Sequence, residues 1–110
     1  MSDRLAELRA MRDFIDREIA AEERRNNRVL VRVAALYDVT LDDLLGRCKE
    51  ARIARARHGA AWLLRRSGMT STAIAEVLGY REHTAVLHAV SKVDRDPATK
   101  ALLLGLEESA

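Results

Sequence analysis

Between Thr70 and Val93 two short amphipathic patterns are separated by one glycine-containing turn. "TSTAIAEVLG" places Ile74, Val77 and Leu78 on one face of a helix, with Thr70 or Ser71 as its cap and Gly79 as its stop. "YRE" makes a tight turn, and "HTAVLHAVSKV" gives a second helix. Val86, Leu87, Val90 and Val93 are expected to face inward, and Thr84, Ala85, His88, Ser91 and Lys92 outward. Ala75, four residues before Gly79, leaves room for the two helices to approach closely. Two short helices joined through such a turn are the signature of a helix-turn-helix. The outward face of the second helix is short and polar with a basic end, which a core-packing or coiled-coil helix does not need.

The rest of the chain agrees with an all-α fold. Its 110 residues fit one small domain, with a single proline, five glycines and 4% aromatic residues. Frequent alanine and short β-branched runs argue against a sandwich or barrel. The chain is too short, and too poor in glycine-rich loops, for a Rossmann unit, a (β/α)₈ barrel or a P-loop ATPase. The lone Cys48 excludes an internal disulfide and a cysteine-rich zinc site. No apolar stretch reaches membrane-spanning length, and the charged start "MSDRLAELRA" is unlike a signal peptide. A soluble, cytoplasmic protein is expected.

Residues 3–24 form an amphipathic pattern in which Leu5, Leu8, Met11, Ile15 and Ile19 recur at spacings of three and four, with Phe14 beside Ile15. Opposite charges four apart (Arg9 and Asp13, Arg12 and Asp16, Asp13 and Arg17) are expected to pair. The stripe suits a dimerising coiled coil or another protein partner, although Glu18 interrupts the heptad. Packing on its own domain is the plainer reading and is the one expected here. The polar "RRNN" at 24–27 is read as the helix boundary. The chain then divides into an N-terminal amphipathic helix, 1–25, and a helix-turn-helix domain, 26–110. Val29, Val33, Leu36 and Tyr37 form a second stripe closed by Asp38. "VTLDDLL" is a short helix capped by Thr40 and stopped by Gly46. A long helix runs from about Ala51 to Ser67, with Ile53, Ala60, Leu63 and Leu64 inward. After Pro97 a last helix through Leu102, Leu103, Leu104 and Leu106 either caps the core or frays.

The formal net charge is +2, yet "GRCKEARIARARHGAAWLLRR", residues 46–66, carries seven basic groups and one acidic group. A basic patch of this kind suits a local polyanion, most often nucleic acid. The alternative is an ordinary solvated Arg-rich helix, since arginine outnumbers lysine 16 to 3. At the entry of the second helix of the motif stand Glu82, His83 and Thr84. There a recognition helix puts hydrogen-bonding side chains into the major groove. Glu82 can accept from a cytosine amino group, His83 can donate to a purine edge, and Thr84 can bond a base edge or touch a thymine methyl. Singly, each is an ordinary surface residue; together, inside this motif and near a basic patch, they favour DNA reading. Catalysis has little support. His58, His83 and His88 lack the spacing of a helical zinc site, no cofactor-binding motif is present, and Cys48 is read as incidental.

"GYREHTAVLHAVSKV" closely resembles the signature of the C-terminal DNA-binding domain (domain IV) of the bacterial replication initiator DnaA. That family reads Gly-x-Arg-Asp-His-Thr-Thr-Val-x-His-Ala, with a lysine shortly after. "VAALYDVTLDDLLGR" is similar to the opening helices of that domain, and "ARIARARHGAAWLLRR" to its basic loop and long helix. The likeness covers about residues 28–95. It implies a multi-helix bundle of the DnaA domain IV or Trp repressor-like kind with an extra N-terminal helix, and no ATPase activity. It also implies a free-standing relative, since residues 1–25 do not resemble the preceding ATPase module.

Carried over by position, the resemblance implies base readers at Glu82, His83 and Thr84, and a minor-groove contact at Lys49. Backbone or nearby contacts are implied at Arg55, Arg57, His58, Arg65, Ser71, Thr72, Arg81, Ala85, His88 and Lys92. The chain departs from the family at Glu82, in place of Asp, and at Ala85, in place of Thr. It also departs at Lys49, in place of Arg, and at Tyr80, in place of a common glycine. The function implied is sequence-specific binding of double-stranded DNA, at DnaA-box-like sites, in replication initiation control or transcription regulation. The alternative is an adaptor that binds the initiator or another partner, or a homodimer, through residues 3–24.

Overall fold

Good helix formers fill most of the chain, and glycine or capping residues fall between the apolar stripes, so the described residues resolve into six helices. In the computed structural model, which describes residues 2–108, these are α1 (Ser2–Tyr37), α2 (Leu41–Leu45), α3 (Ala51–Arg66), α4 (Ser71–Leu78), α5 (His83–Asp94) and α6 (Pro97–Glu108). There is no strand among the described residues. The punctuation falls where local chemistry places it. Thr40 caps α2 by accepting from the Asp43 amide at 3.0 Å, and Thr70, rather than Ser71, caps α4 by accepting from Ala73 at 3.2 Å.

The centre of the bundle is α3, which packs against all five other helices. Ala56, Gly59, Ala60 and Ala61 are buried along it, and their small size lets its neighbours approach closely. A Cβ at Gly59 would lie 3.1 Å from the Leu103 side chain and 3.4 Å from the Tyr37 ring, so α6 and α1 meet where α3 has no side chain. Ile53, Trp62, Leu63 and Leu64 complete its buried surface, joined by Leu30, Val33, Leu44, Ile74, Leu78, Val86, Val93 and Leu103. The last helix does cap the core. Leu103 is fully buried and Leu104 and Leu106 pack beside it, while Leu102 faces solvent. An Arg66–Glu107 ion pair at 2.9 Å ties α6 back to α3.

Four expectations change. The "RRNN" segment is no helix boundary: α1, 36 residues long, runs unbroken through it, because no glycine or proline interrupts the stretch and two asparagines cost a helix little. The stripe of Leu5, Leu8, Met11, Ile15 and Ile19 does not pack on its own domain; each is 46–58% exposed. Residues 3–19 are exposed throughout and project from the body, giving extents of 58 × 31 × 24 Å. The ion pairs that form along α1 are Arg4–Glu7, Arg12–Asp13 and Glu22–Arg25, not the expected pairs four apart. On α5, Leu87 is turned outward at 48% exposure, and Ala89 takes the inward position with Val86 and Val93. The buried stripe is set by the 3.6-residue repeat, and Leu87 falls about 125° off its axis.

Candidate nucleic-acid interface

Two helices of eight and twelve residues, α4 and α5, make the helix-turn-helix, and Gly79 fixes the turn. Gly79 adopts a left-handed φ of 75°, its amide and that of Tyr80 both donate to the Ala75 carbonyl, and Ala75 is buried beneath them. A Cβ at Gly79 would lie 3.4 Å from the Leu45 carbonyl oxygen, so the turn also abuts the end of α2. Tyr80 fills the space beside the turn. Its hydroxyl is buried with no hydrogen-bond partner, and that burial pushes its pKa up to about 12.

The turn delivers Arg81, Glu82, His83 and Thr84, all exposed, to the N-terminal end of α5. Glu82 is the N-cap residue, and its side chain makes no cap bond to the helix backbone. Instead its carboxylate accepts from the Thr84 hydroxyl at 3.2 Å. Thr72 on α4 lines one shallow concavity together with Tyr80, Arg81, Glu82 and His83, and Ser71 sits half-buried one residue earlier. Thr84, His88 and Lys92 follow at intervals of four, so they line up along the exposed face of α5. Ala85 is half-buried at the edge of that face.

A second concavity gathers basic groups from two helices. Arg55 and His58 of α3 meet Lys92 of α5 there, with Tyr37, Asp96 and Thr99 completing the wall. His58 is half-buried, and its pKa is lowered by desolvation and then by the positive charges of Lys92 and Arg57. Thr99 bonds to the Asp96 carboxylate hold its pKa below the usual range. Burial raises that of the Tyr37 phenol, with Asp96 adding to the rise.

Arg57 is engaged by main-chain oxygens of the protein itself. Its Nε donates to the Leu44 carbonyl at 3.0 Å, Nη2 to Asp43 at 3.1 Å and Nη1 to Cys48 at 3.2 Å. The guanidinium therefore closes the C-terminal end of α2 and holds the loop that carries exposed Lys49. Arg65 remains exposed, with one bond from Nη1 to the Met69 carbonyl at 3.0 Å, which restrains the α3–α4 turn. Arg66 adds little to the free positive surface, since it pairs with Glu107 and lies 5.0 Å over the Trp62 ring. The Trp62 indole N–H donates to Asp94 Oδ1 at 2.9 Å, a bond that pins the C-terminal end of α5 to α3. The sequence reasoning missed these links; the Arg57 partners are main-chain oxygens, which leave no trace in residue identity.

The family described as the bacterial dnaA protein helix-turn-helix matches residues 26–93, more than half of the chain. The chain belongs to this family. Its relatives include the chromosomal replication initiator protein DnaA of Roseiflexus castenholzii, 38% identical over 76 residues, or 68% of this chain and 16% of that protein. The protein of the same name from Borreliella burgdorferi is 39% identical over 59 residues, covering 53% of this chain and 12% of its own. That of Bifidobacterium animalis subsp. lactis is 29% identical over 86 residues, covering 77% and 14%. The match thus spans about a sixth or less of these curated relatives. No solved structure matches the chain. The matched module is the DnaA helix-turn-helix, an all-α DNA-binding module, as the resemblance implied. No described helix is long and apolar enough to cross a membrane. Among the described residues no cluster of His, Cys, Asp or Glu is arranged to hold a metal ion.

Proposed function

We propose that this chain binds double-stranded DNA sequence-specifically, with α5 in the major groove, at sites like the DnaA box. The observation that carries this reading is the arrangement at the entry of α5. Glu82, His83 and Thr84 stand exposed on a helix whose other face is locked into the core by Val86, Ala89 and Val93. Readout by base edges needs side chains that are free at the tip and rigid at the root. Thr84 and Glu82 act as one hydrogen-bonded unit, and His83 reads beside them. Lys49, held on its loop by Arg57, reaches the neighbouring minor groove.

Phosphate neutralisation is assigned to Arg55, Arg65, Arg81 and Lys92. His58 and His88 flank them, and Ser71, Thr72 and Ala85 lie along the same side. Arg57 acts through the loop it holds. The biological role follows from occupancy: covering or marking initiator-type sites in replication control, or regulating transcription, with no ATP hydrolysis of its own. Residues 26–110 supply this activity, and residues 1–25 add a separate function. Selection of binding sites from a random duplex library tests the reading. Enrichment of a DnaA-box-like motif supports it, and recovery of no motif contradicts it.

A further inference from the structure

We propose that the projecting half of α1 pairs with the same segment of a second copy of this chain, in antiparallel sense. The inference stands apart from DNA binding and rests on α1 alone. Leu5, Leu8, Met11, Ile15 and Ile19 form a continuous apolar stripe, with Phe14 on the flank about 120° from its axis, and all six are 46–58% exposed. Further along, the same side of the helix buries Leu30 and Val33 in the body, so the stripe is the outward continuation of a core-facing surface. Monomeric proteins seldom leave such a contiguous apolar surface in water.

The charges beside the stripe say what covers it. With about 3.6 residues per turn, Arg4 and Arg12 fall on the stripe side in its N-terminal half, and Asp16, Glu18, Glu22 and Glu23 on the stripe side in its C-terminal half. Within the chain Arg4 and Arg12 make only long, exposed 3.7 Å pairs with Glu7 and Asp13, Glu22 pairs with Arg25 at 3.0 Å on the exposed surface, and Asp16, Glu18 and Glu23 make none among the described residues. A foreign partner requires no relation between the two halves. A two-fold interface requires self-complementarity, and an antiparallel copy meets it by laying the basic half on the acidic half.

One register satisfies the pattern. Residues whose numbers sum to about 27 lie opposite, which sets Leu8 against Ile19 of the second copy and brings Met11 near Ile15, Arg4 near Glu22 and Arg12 near Asp16, each within one residue. The two-fold axis then crosses near Asp13, and the start of each helix reaches about Arg25 of the other, where α1 enters its body. The pair uses the whole projecting segment, roughly 35 Å long, and leaves the two DNA-binding bodies at its opposite ends. A parallel pair would set Arg4 and Arg12 against themselves. Glu18, which breaks the heptad of a parallel coiled coil, becomes a flank residue facing the basic half.

The test uses the full chain and sedimentation equilibrium at roughly 10–100 µM, where micromolar interfaces are populated. The unaltered protein is expected to be dimeric. Arg4→Glu with Arg12→Glu, and separately Asp16→Arg with Glu22→Arg, are expected to weaken self-association at least tenfold. Mixing the two variants is expected to restore it as a heterodimer. The altered positions are exposed, and unchanged melting temperatures check that the fold is kept. In a Cys48→Ser background, Leu8→Cys mixed with Ile19→Cys is expected to cross-link under oxidation, and neither alone. A monomer at all concentrations overturns the proposal. So does cross-linking of Leu8→Cys with itself in place of the mixed pair, which is the parallel arrangement.

Discussion

The Thr84 hydroxyl donates to the Glu82 carboxylate at 3.2 Å, across the first turn of α5. The bond joins the two residues that flank His83, and it holds Glu82 outward where an N-cap carboxylate would otherwise fold back on the helix amides. Removing either partner therefore disturbs the other. Thr84→Ala is expected to cost about 1–3 kcal/mol on the preferred duplex and little on a scrambled one. Competition binding measures it. Equal losses on both duplexes would reduce these residues to backbone positioning.

Glu82→Asp separates capping from reading. Asp is a strong N-cap residue, while Glu82 makes no cap bond, so the variant is expected to gain about 0.5–1 kcal/mol of stability. The shorter side chain also breaks the reach to Thr84 and moves sequence preference toward the initiator's own box. Chemical denaturation and competition binding on the same protein check both halves.

Arg57 and Lys49 are expected to separate structure from binding. Arg57→Ala leaves the carbonyls of Asp43, Leu44 and Cys48 without their donor and is expected to cost about 1–3 kcal/mol of stability. It also frees the loop and weakens DNA binding indirectly. Lys49→Ala is expected to weaken binding with no change in stability. Equal effects of both variants on melting would contradict the clamp.

How much of this was legible in the sequence depends on how local the cause is. The helix-turn-helix is written in neighbours: Thr70 caps, Ile74 and Leu78 bury, Gly79 turns, and each reports on a single turn of helix. The apolar stripe of α1 was equally legible, but its surroundings were not, because periodicity marks an apolar face without saying what covers it. Leu87 is apolar yet outward because angular position, not residue type, decides burial, and Ala89 takes the inward place for the same reason. A basic residue in a basic segment looks alike whether it faces phosphate or backbone oxygen, so the three carbonyls that Arg57 engages are not legible in its identity. The Trp62–Asp94 bond joins residues 32 apart, beyond any pattern in the chain.

With Arg57 and Arg66 engaged within the protein, phosphate neutralisation falls to exposed Arg55, Arg65, Arg81 and Lys92. About four phosphate contacts predict a slope of log K against log salt of about −3.6. Lys92→Ala is expected to reduce that slope by about one and to weaken all sequences alike. Titrations at several salt concentrations on random duplex DNA decide it.

Stability is expected to fall with acid through His58. Its folded pKa lies below the ordinary 6.5, through desolvation and the nearby Lys92 and Arg57. The unfolded chain therefore binds the proton more readily. The contribution is fully present above pH 6.5 and declines as pH falls below it. His58→Gln is expected to flatten this part of the profile, read as melting temperature between neutral and mildly acidic pH. An unchanged slope would mean that other groups dominate.

Sequence-specific binding through α5 meets its most direct test in one competition experiment. A duplex carrying a DnaA-box-like site and its scrambled counterpart compete for the full chain at physiological salt. The account predicts a preference of about 10³-fold or more for the site, lost when His83 and Thr84 are both alanine. Equal affinity for the two duplexes, or a preference that survives the double substitution, would contradict it.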